Sequence, residues 1–293
     1  MQPRSGPHWR PVRHAPSCRK RKSAPAPTAS SRSTPTGAAL PGTSGMAVSI
    51  RRGVPERKRP MSEDDRKKMG PYKRAVAEVT ERAGAKKVET DGMVLFQYPD
   101  YDTYRDAQII GNKAKLRMQF VKESHIRILS GYLEETLGPV SFGICHGTRR
   151  GAEQSWFRAH LPGAPDVIGT EISDTASDFP HTIQWDFHET NPEWTGRADF
   201  VYSNSWDHAF DPLKAFAAWI DALRPGGLML LDYTKGQTPD AANALDPFGI
   251  KLRKLRAMLT EAFGTKGTLR DTLDTRRTNP EYRARVVVFE KTA

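Results

Sequence analysis

Residues 199–233 read DFVYSNSWDHAFDPLKAFAAWIDALRPGGLMLLDY, and the way this stretch divides decides the fold. DFVYSN begins as an apolar run of strand length and ends polar. Asp211 has the side chain of a helix N-cap, and Pro212 suits the first helical position because its missing N–H would be unpaired there anyway. Leu213, Phe216, Ala217, Ile220 and Leu223 recur at helical spacing and predict one apolar stripe. RPGG then turns the chain into LMLLDY, a second apolar strand. A strand, a covering helix and a second strand make a parallel crossover unit.

The same alternation extends in both directions. Upstream, VSFGI (140–144), VIGTE (167–171) and TIQWDF (182–187) read as strands, and EQSWFRAHL (153–161) as a helix with Trp156, Phe157 and Leu161 inward. Downstream, IKLRKLRAMLTEAFG (250–264) reads as a helix and ARVVVFEK (284–291) as a last strand. The expected class is therefore α/β, a Rossmann-like doubly wound sheet of seven mostly parallel strands covered on both faces. Before it, a helix is expected from about Val121 to Leu137, with Ile126, Leu129 and Leu133 on one face and Gly138-Pro139 at its end. MVLFQYP (93–99) reads as a short strand and YDTYRDAQIIGNKAKLR (101–117) as a polar helix or loop. Ser62 is the expected N-cap of a first helix carrying Ala75, Val76 and Val79. The division expected is a tail over 1–60, an N-terminal helical cap over 61–120 and the sheet domain over 121–293.

The tail carries the charge. Of 45 Lys and Arg in the 293 residues, 13 lie in residues 1–60 against one acidic residue, Glu56, so the remainder holds 32 basic and 33 acidic groups. The net charge of +11 thus belongs to the tail and says little about the ligand of the domain. Ten prolines there and the run RKRKSAPAPTASSRSTPTGAALPGTSG (19–45) predict disorder, since little apolar surface is available to offset chain entropy. A nucleic-acid or membrane-surface arm, a transit peptide, and translated upstream sequence ahead of Met46 or Met61 are the competing readings. Cys18 and Cys145 are the two cysteines, so no disulfide framework is expected. No apolar run approaches the roughly 20 residues of a membrane span. The N-terminus has no apolar signal core, and a soluble, cytoplasmic protein is expected.

In an open parallel sheet ligands bind beyond the carboxyl ends of the strands, first at the opening strand-loop-helix. SFGICHGTRRGAE (141–153) stands there, with Gly143, Gly147 and Gly151 every four residues. Gly147 would let the backbone approach a ligand, and the next helix would offer free N–H groups to an anion. Glu171 ends the second strand 24 residues after Gly147, where a carboxylate accepts hydrogen bonds from ribose hydroxyls. Asp186, in QWDF, would take an exocyclic adenine amine, with Trp185 and Phe187 flanking the ring.

On FGICHGTRRGAE, GTEIS, QWDF and the 199–233 stretch, the chain resembles the class I S-adenosylmethionine-dependent methyltransferases, nearest their type 11 small-molecule branch, over roughly Val121 to Lys291. The resemblance implies S-adenosyl-L-methionine as cofactor. It implies cofactor contacts at Gly143, His146, Gly147, Thr148, Arg149, Glu171, Ile172, Asp186 and Phe187, with Asn204, Ser205 and Trp206 at the methionyl end. Gly143 stands where the family usually has an acid, Cys145 at its first glycine and Arg149 at its third. His146 or Arg149 is then placed to bind the cofactor's carboxylate.

Several residues read two ways. Cys145 with His146 suggests a metal or nucleophile, but no ligand spacing accompanies them and no metal is expected. His208, beside Asp207, is either a base for an acceptor hydroxyl or a structural loop histidine. Trp206 either faces the sulfonium or packs in the core. The expected reaction is in-line methyl transfer to a small-molecule or glycan-like acceptor. A nicotinamide oxidoreductase would want a tight G-x-G-x-x-G and a Tyr-x-x-x-Lys pair, both missing. A nucleic-acid methyltransferase would want more than SNSWDH after the fourth strand. A non-catalytic S-adenosylmethionine-binding protein is the third alternative.

Overall fold

The computed structural model describes residues 67–292, so the expected Ser62 cap and the tail lie outside the described residues. The apolar runs form one large sheet. In chain order its strands are β3 (Phe142–His146), β4 (Asp166–Glu171), β5 (Thr182–Gln184), β6 (Ala198–Ser203), β7 (Leu223–Tyr233), β9 (Gly267–Leu269), β10 (Leu273–Asp274) and β11 (Arg285–Lys291). Their spatial order is β10-β11-β7-β6-β3-β4-β5, with β9 also on β11. Strands β3 to β7 pair parallel, and β11 enters antiparallel between β7 and the short β9 and β10. The eighth strand relative to expectation arises because one edge position is split between β9 and β10. The chain starts at β3, runs outward to β5, then returns to β6 on β3's other side. The switch point therefore lies between the tips of β3 and β6.

Two apolar layers cover the sheet. Helices α5 (Pro212–Ala222) and α6 (Leu252–Phe263) bury Phe216, Trp219, Leu255 and Leu259 on one face. Helices α3 (Glu123–Leu137) and α4 (Ala152–His160) bury Ile126, Leu129, Leu133 and Phe157 on the other. Asp211 caps α5 as expected, its side chain accepting from the Lys214 amide at 3.0 Å. The expected stripe needs two corrections. Leu213 is 45% exposed, and Leu223 belongs to β7, because α5 ends at Ala222 and Leu223 already pairs with Ala198 of β6, with RPGG as an irregular stretch of β7 before pairing resumes at Leu228.

The N-terminal segment is more than a helical cap. Helices α1 (Pro71–Arg82) and α2 (Tyr101–Lys115) flank a hairpin of β1 (Lys86–Thr90) and β2 (Met93–Gln97). A strand from the other end of the chain, β8 (Phe248–Ile250), extends that hairpin antiparallel. Ala75, Val79, Tyr98 and Tyr104 share a third apolar cluster with Ala244 and Leu245. The cap is thereby fastened to the loop between β7 and β8, and α2 lies over the carboxyl ends of β3 to β6. Among the described residues no helix is long and apolar enough to cross a membrane.

Candidate functional site

The loop after β3 is built to bring backbone close to the switch point. Gly147 and Thr148 both donate backbone N–H to the Thr170 carbonyl, at 2.9 and 3.1 Å, which turns the chain sharply at the strand tip. Gly147 sits at φ +73°, and a Cβ there would lie 2.8 Å from the Cβ of Ser205. Only glycine meets both demands. Gly151, φ +72°, is the N-cap of α4. Between them Arg149 adopts φ +42°, a left-handed conformation unusual for a long side chain. Its guanidinium is held in return: Nη1 donates to the Met118 carbonyl at 2.9 Å, and the group lies 5.2 Å from the Phe120 ring centroid.

The opposite wall comes from β6. Ser203 Oγ donates to the His146 carbonyl, the Ser205 amide donates to Ser203 Oγ, and Ser205 Oγ donates to the Gly147 carbonyl. These bonds of 3.0 to 3.2 Å join the two strand tips on either side of the switch point.

Glu171 ends β4 and is 7% exposed, so its carboxylate faces a cleft and not bulk water. The Ser173 amide donates to its Oε1 at 3.1 Å. Burial pushes this carboxyl above its ordinary range, while the Ser173 amide and the Arg149 charge favour the ionised form. Asp186 lies just beyond β5 and uses one oxygen locally: Oδ1 accepts from the His188 amide at 3.0 Å and from His188 Nδ1 at 2.7 Å. His188 Nε2 accepts from the Phe210 amide at 3.0 Å, which fixes the ring as the Nδ1–H tautomer, and Asp186, tied to His188 through Oδ1 alone, lines the cleft.

A narrow cleft gathers Gly147, Arg149, Glu171, Ile172, Asp186, Phe187, Ser205 and His208, eight of the thirteen residues singled out in the sequence. It opens into a chamber of about 870 Å³ that shares Lys115, Arg149, Ser205 and His208 with it and adds Asn204. The other four face elsewhere. Gly143 is buried in β3, where a Cβ would strike the Phe200 ring. His146 stacks on Trp219 at 4.7 Å and meets Thr170 Oγ1 at 2.8 Å; burial lowers its pKa to about 3, so it is neutral. Thr148 is buried behind the turn with its hydroxyl unpartnered. Trp206 is fully buried, donating Nε1–H to the Asp232 carbonyl at 2.7 Å. Trp185 also turns away, meeting Trp194 edge-on at 5.4 Å, so of the two rings expected to flank Asp186 only Phe187 reaches the cleft. Cys145 is buried, and burial pushes its thiol well above the ordinary value.

The fourth wall was not apparent in the sequence. Tyr104, Gln108, Asn112 and Lys115 of α2 all line the cleft. Their spacing places them on one helix face, and their polar character in a buried setting was the available signal. Asn112 Nδ2 is buried without a hydrogen-bond partner. Lys115, 3% exposed, lies 3.3 Å from Asp246, which also accepts from Tyr72 Oη at 2.6 Å and Asn243 Nδ2 at 3.1 Å. Burial raises the Asp246 carboxyl, but these neighbours outweigh it and hold the group ionised, below the usual range.

His208 lies within this network. The Gln108 amide is oriented by donating Nε2–H to the Leu245 carbonyl at 3.0 Å, so its Oε1 accepts from His208 Nδ1 at 2.8 Å. His208 Nε2 stands 3.2 Å from Asp246 Oδ1. With Nδ1 donating to Gln108, a neutral ring presents an unprotonated Nε2 to the Asp246 carboxylate, so that contact becomes a hydrogen bond only when the ring is protonated. Burial and the Lys115 charge lower the His208 pKa to about 3 and favour the neutral ring.

No protein-family model matches the chain, and no curated protein matches it in sequence. Among solved structures it is similar to the Burkholderia thailandensis 1,6-didemethyltoxoflavin-N1-methyltransferase, solved with 1,6-didemethyltoxoflavin and S-adenosylhomocysteine. That likeness has a TM-score of 0.50 at 16% identity over 71% of this chain and 100% of that one. It is also similar to the N-methyltransferase NodS from Bradyrhizobium japonicum in complex with S-adenosylhomocysteine, at TM-score 0.46 and 13% identity over 64% and 99%. Strand order and likeness together define the fold: it is that of the class I S-adenosylmethionine-dependent methyltransferases.

Proposed function

We propose that the protein is an S-adenosylmethionine-dependent methyltransferase acting on a small-molecule acceptor. The observation that carries this reading is the placement of a buried carboxylate, Glu171, in one cleft with the Gly147 turn, Asp186 and Phe187 at the carboxyl ends of adjacent parallel strands. The donor set suits a nucleoside. Gly147 leaves a cradle that a Cβ would fill, Glu171 offers oxygens to a diol, and Asn112 supplies an unpartnered amide beside it. The cleft encloses only about 50 Å³, so entry requires the Arg149 side chain or the α2 face to move outward.

The bound cofactor would supply an electrophilic methyl group on a sulfonium. Glu171 would hold the ribose, Asp186 Oδ2 and Phe187 the adenine, and Arg149 the carboxylate of the amino-acid end. Ser205 and Asn204 stand where the cleft meets the chamber, so an acceptor there lies against the methyl-bearing end. Rate would come from alignment and exclusion of water. A base role for His208 requires its Asp246 contact to open; in the arrangement described, His208 positions the wall shared by cleft and chamber.

The test is transfer of radiolabelled methyl from S-adenosylmethionine into pooled small-molecule acceptors, alongside calorimetry with S-adenosylhomocysteine. Binding with transfer supports the proposal. Binding without transfer to any pool favours a non-catalytic cofactor-binding protein, and no binding removes both.

A further inference from the structure

The chamber's outer wall differs in chemistry from the cleft. It is formed by Lys235 after β7 and by the β10–β11 region, which contributes Arg276, Arg283 and Arg285. Asp274 is the carboxylate serving two of these guanidinium groups: Arg276 Nε lies 2.8 Å from its Oδ1, and Arg285 Nε lies 3.7 Å from its Oδ2. Arg283 and Lys235 are exposed, and among the described residues neither has a carboxylate partner. With Arg149 and Lys115 at the inner end, six cations line this space. Lys115 and Asp246 cancel one another. Asp207 is buried with its carboxyl pushed well up by desolvation and by Asp246, so it adds little negative charge. Glu281 remains as the exposed acid on the wall, and it already accepts from Ser124 Oγ at 2.7 Å.

This excess is local. The residues after the tail carry slightly more acidic than basic groups, so a cavity with three cations that lack a carboxylate partner among the described residues, Arg149, Lys235 and Arg283, departs from the rest of the domain. Unneutralised cations around a cavity focus the field on its interior and favour an anion there. Guanidinium groups in particular match the planar geometry of a carboxylate or the oxygens of a phosphate. Tyr233 and Tyr282 stand in the same wall and supply aromatic surface.

We propose that the chamber takes an anionic acceptor, a carboxylate- or phosphate-bearing small molecule, with its charge held by Lys235, Arg283 and Arg285 at the outer wall and its nucleophile toward Ser205. This specifies the acceptor class of the proposed methyltransferase and rests on that reading for the identity of the reacting end. The anion site itself is testable without the cofactor.

Two fluorescent probes differing in charge make the test: 8-anilinonaphthalene-1-sulfonate and its uncharged parent, N-phenyl-1-naphthylamine. Each is titrated into the full chain and into a Lys235→Gln, Arg283→Gln double variant, with S-adenosylhomocysteine affinity measured on both. Because both proteins keep the basic tail, the difference between them reports on the chamber. The expected result is at least a fivefold loss of sulfonate affinity in the variant, less than a twofold change for the neutral probe, and unchanged S-adenosylhomocysteine affinity. Equal sulfonate affinity in the two proteins, or an equal loss for both probes, overturns the inference. Absence of S-adenosylhomocysteine binding to the unaltered chain defeats the methyltransferase reading, while the probe comparison still decides the anion site. Both substituted side chains are exposed and outside the core, so folding is preserved; circular dichroism verifies it.

Discussion

Adding one methyl group at Gly147 should damage stability and cofactor binding together. In Gly147→Ala the residue must hold φ +73°, which costs an L-residue roughly 1–2 kcal/mol. Its Cβ would also lie 2.8 Å from Ser205 Cβ, closer than packed carbons approach. Ser205 cannot yield freely, because its amide is tied to Ser203 Oγ and its own Oγ to the Gly147 carbonyl. Overpacking of this kind costs about 1–3 kcal/mol. The expected total is about 2–5 kcal/mol, which for a domain of this size lowers Tm by roughly 4–20 °C. Because the strain separates the tips of β3 and β6, affinity for S-adenosylhomocysteine should also fall at least tenfold. Scanning calorimetry gives the first quantity and titration calorimetry the second. A Tm within 1 °C of the parent, or an unchanged affinity, refutes the claim that this turn is both tight and part of the cleft.

Two further perturbations test the buried charges. Burial pushes the Glu153 carboxyl from its ordinary 4.5 up to about 7, with Gln119 Nε2 donating to one oxygen and the other unpartnered. The folded state then holds a proton that the unfolded state loses, so stability falls as pH rises from about 4.5 to about 7, by about 3 kcal/mol in all. Glu153→Gln should remove that slope, matching the parent near pH 4.5 and exceeding it at pH 8 in denaturant melts; parallel profiles would show that Glu153 is already ionised. Lys115→Met should leave Asp246 buried without its cation and cost about 3–5 kcal/mol, while Lys115→Met with Asp246→Asn recovers much of the loss. Equal losses in the single and double variants would mean that the pair is not what fastens α2 to the β7–β8 loop.

The legible parts of the fold were those whose burial pattern is written locally. The apolar runs of β3, β4, β6, β7 and β11 announce strands buried on both faces, and Asp211-Pro212 announces the start of α5. β1 was not legible. KKVET is exposed along its whole length, and pairing with β2 defines it as a strand. The three-residue β8 depends in the same way on its neighbour. In the site, Gly147 and Glu171 were legible because a strand-end glycine and a strand-end acid have few other uses there. The α2 face was not, since Tyr104, Gln108, Asn112 and Lys115 look like a solvated helix until tertiary packing covers them. Gly143, His146 and Trp206 were read by family position, yet their side-chain space is filled by Phe200, Trp219 and the Asp232 carbonyl. Strand alternation sends adjacent residues to opposite faces, so proximity in sequence to Gly147 did not place His146 in the cleft.

In the proposed methyltransferase, Glu171 is the residue that would hold the ribose. Titration calorimetry of S-adenosylhomocysteine against the parent chain and Glu171→Ala should show at least a tenfold loss of affinity, about 1.4 kcal/mol, with the fold intact by circular dichroism. An equal affinity in the two proteins would contradict it.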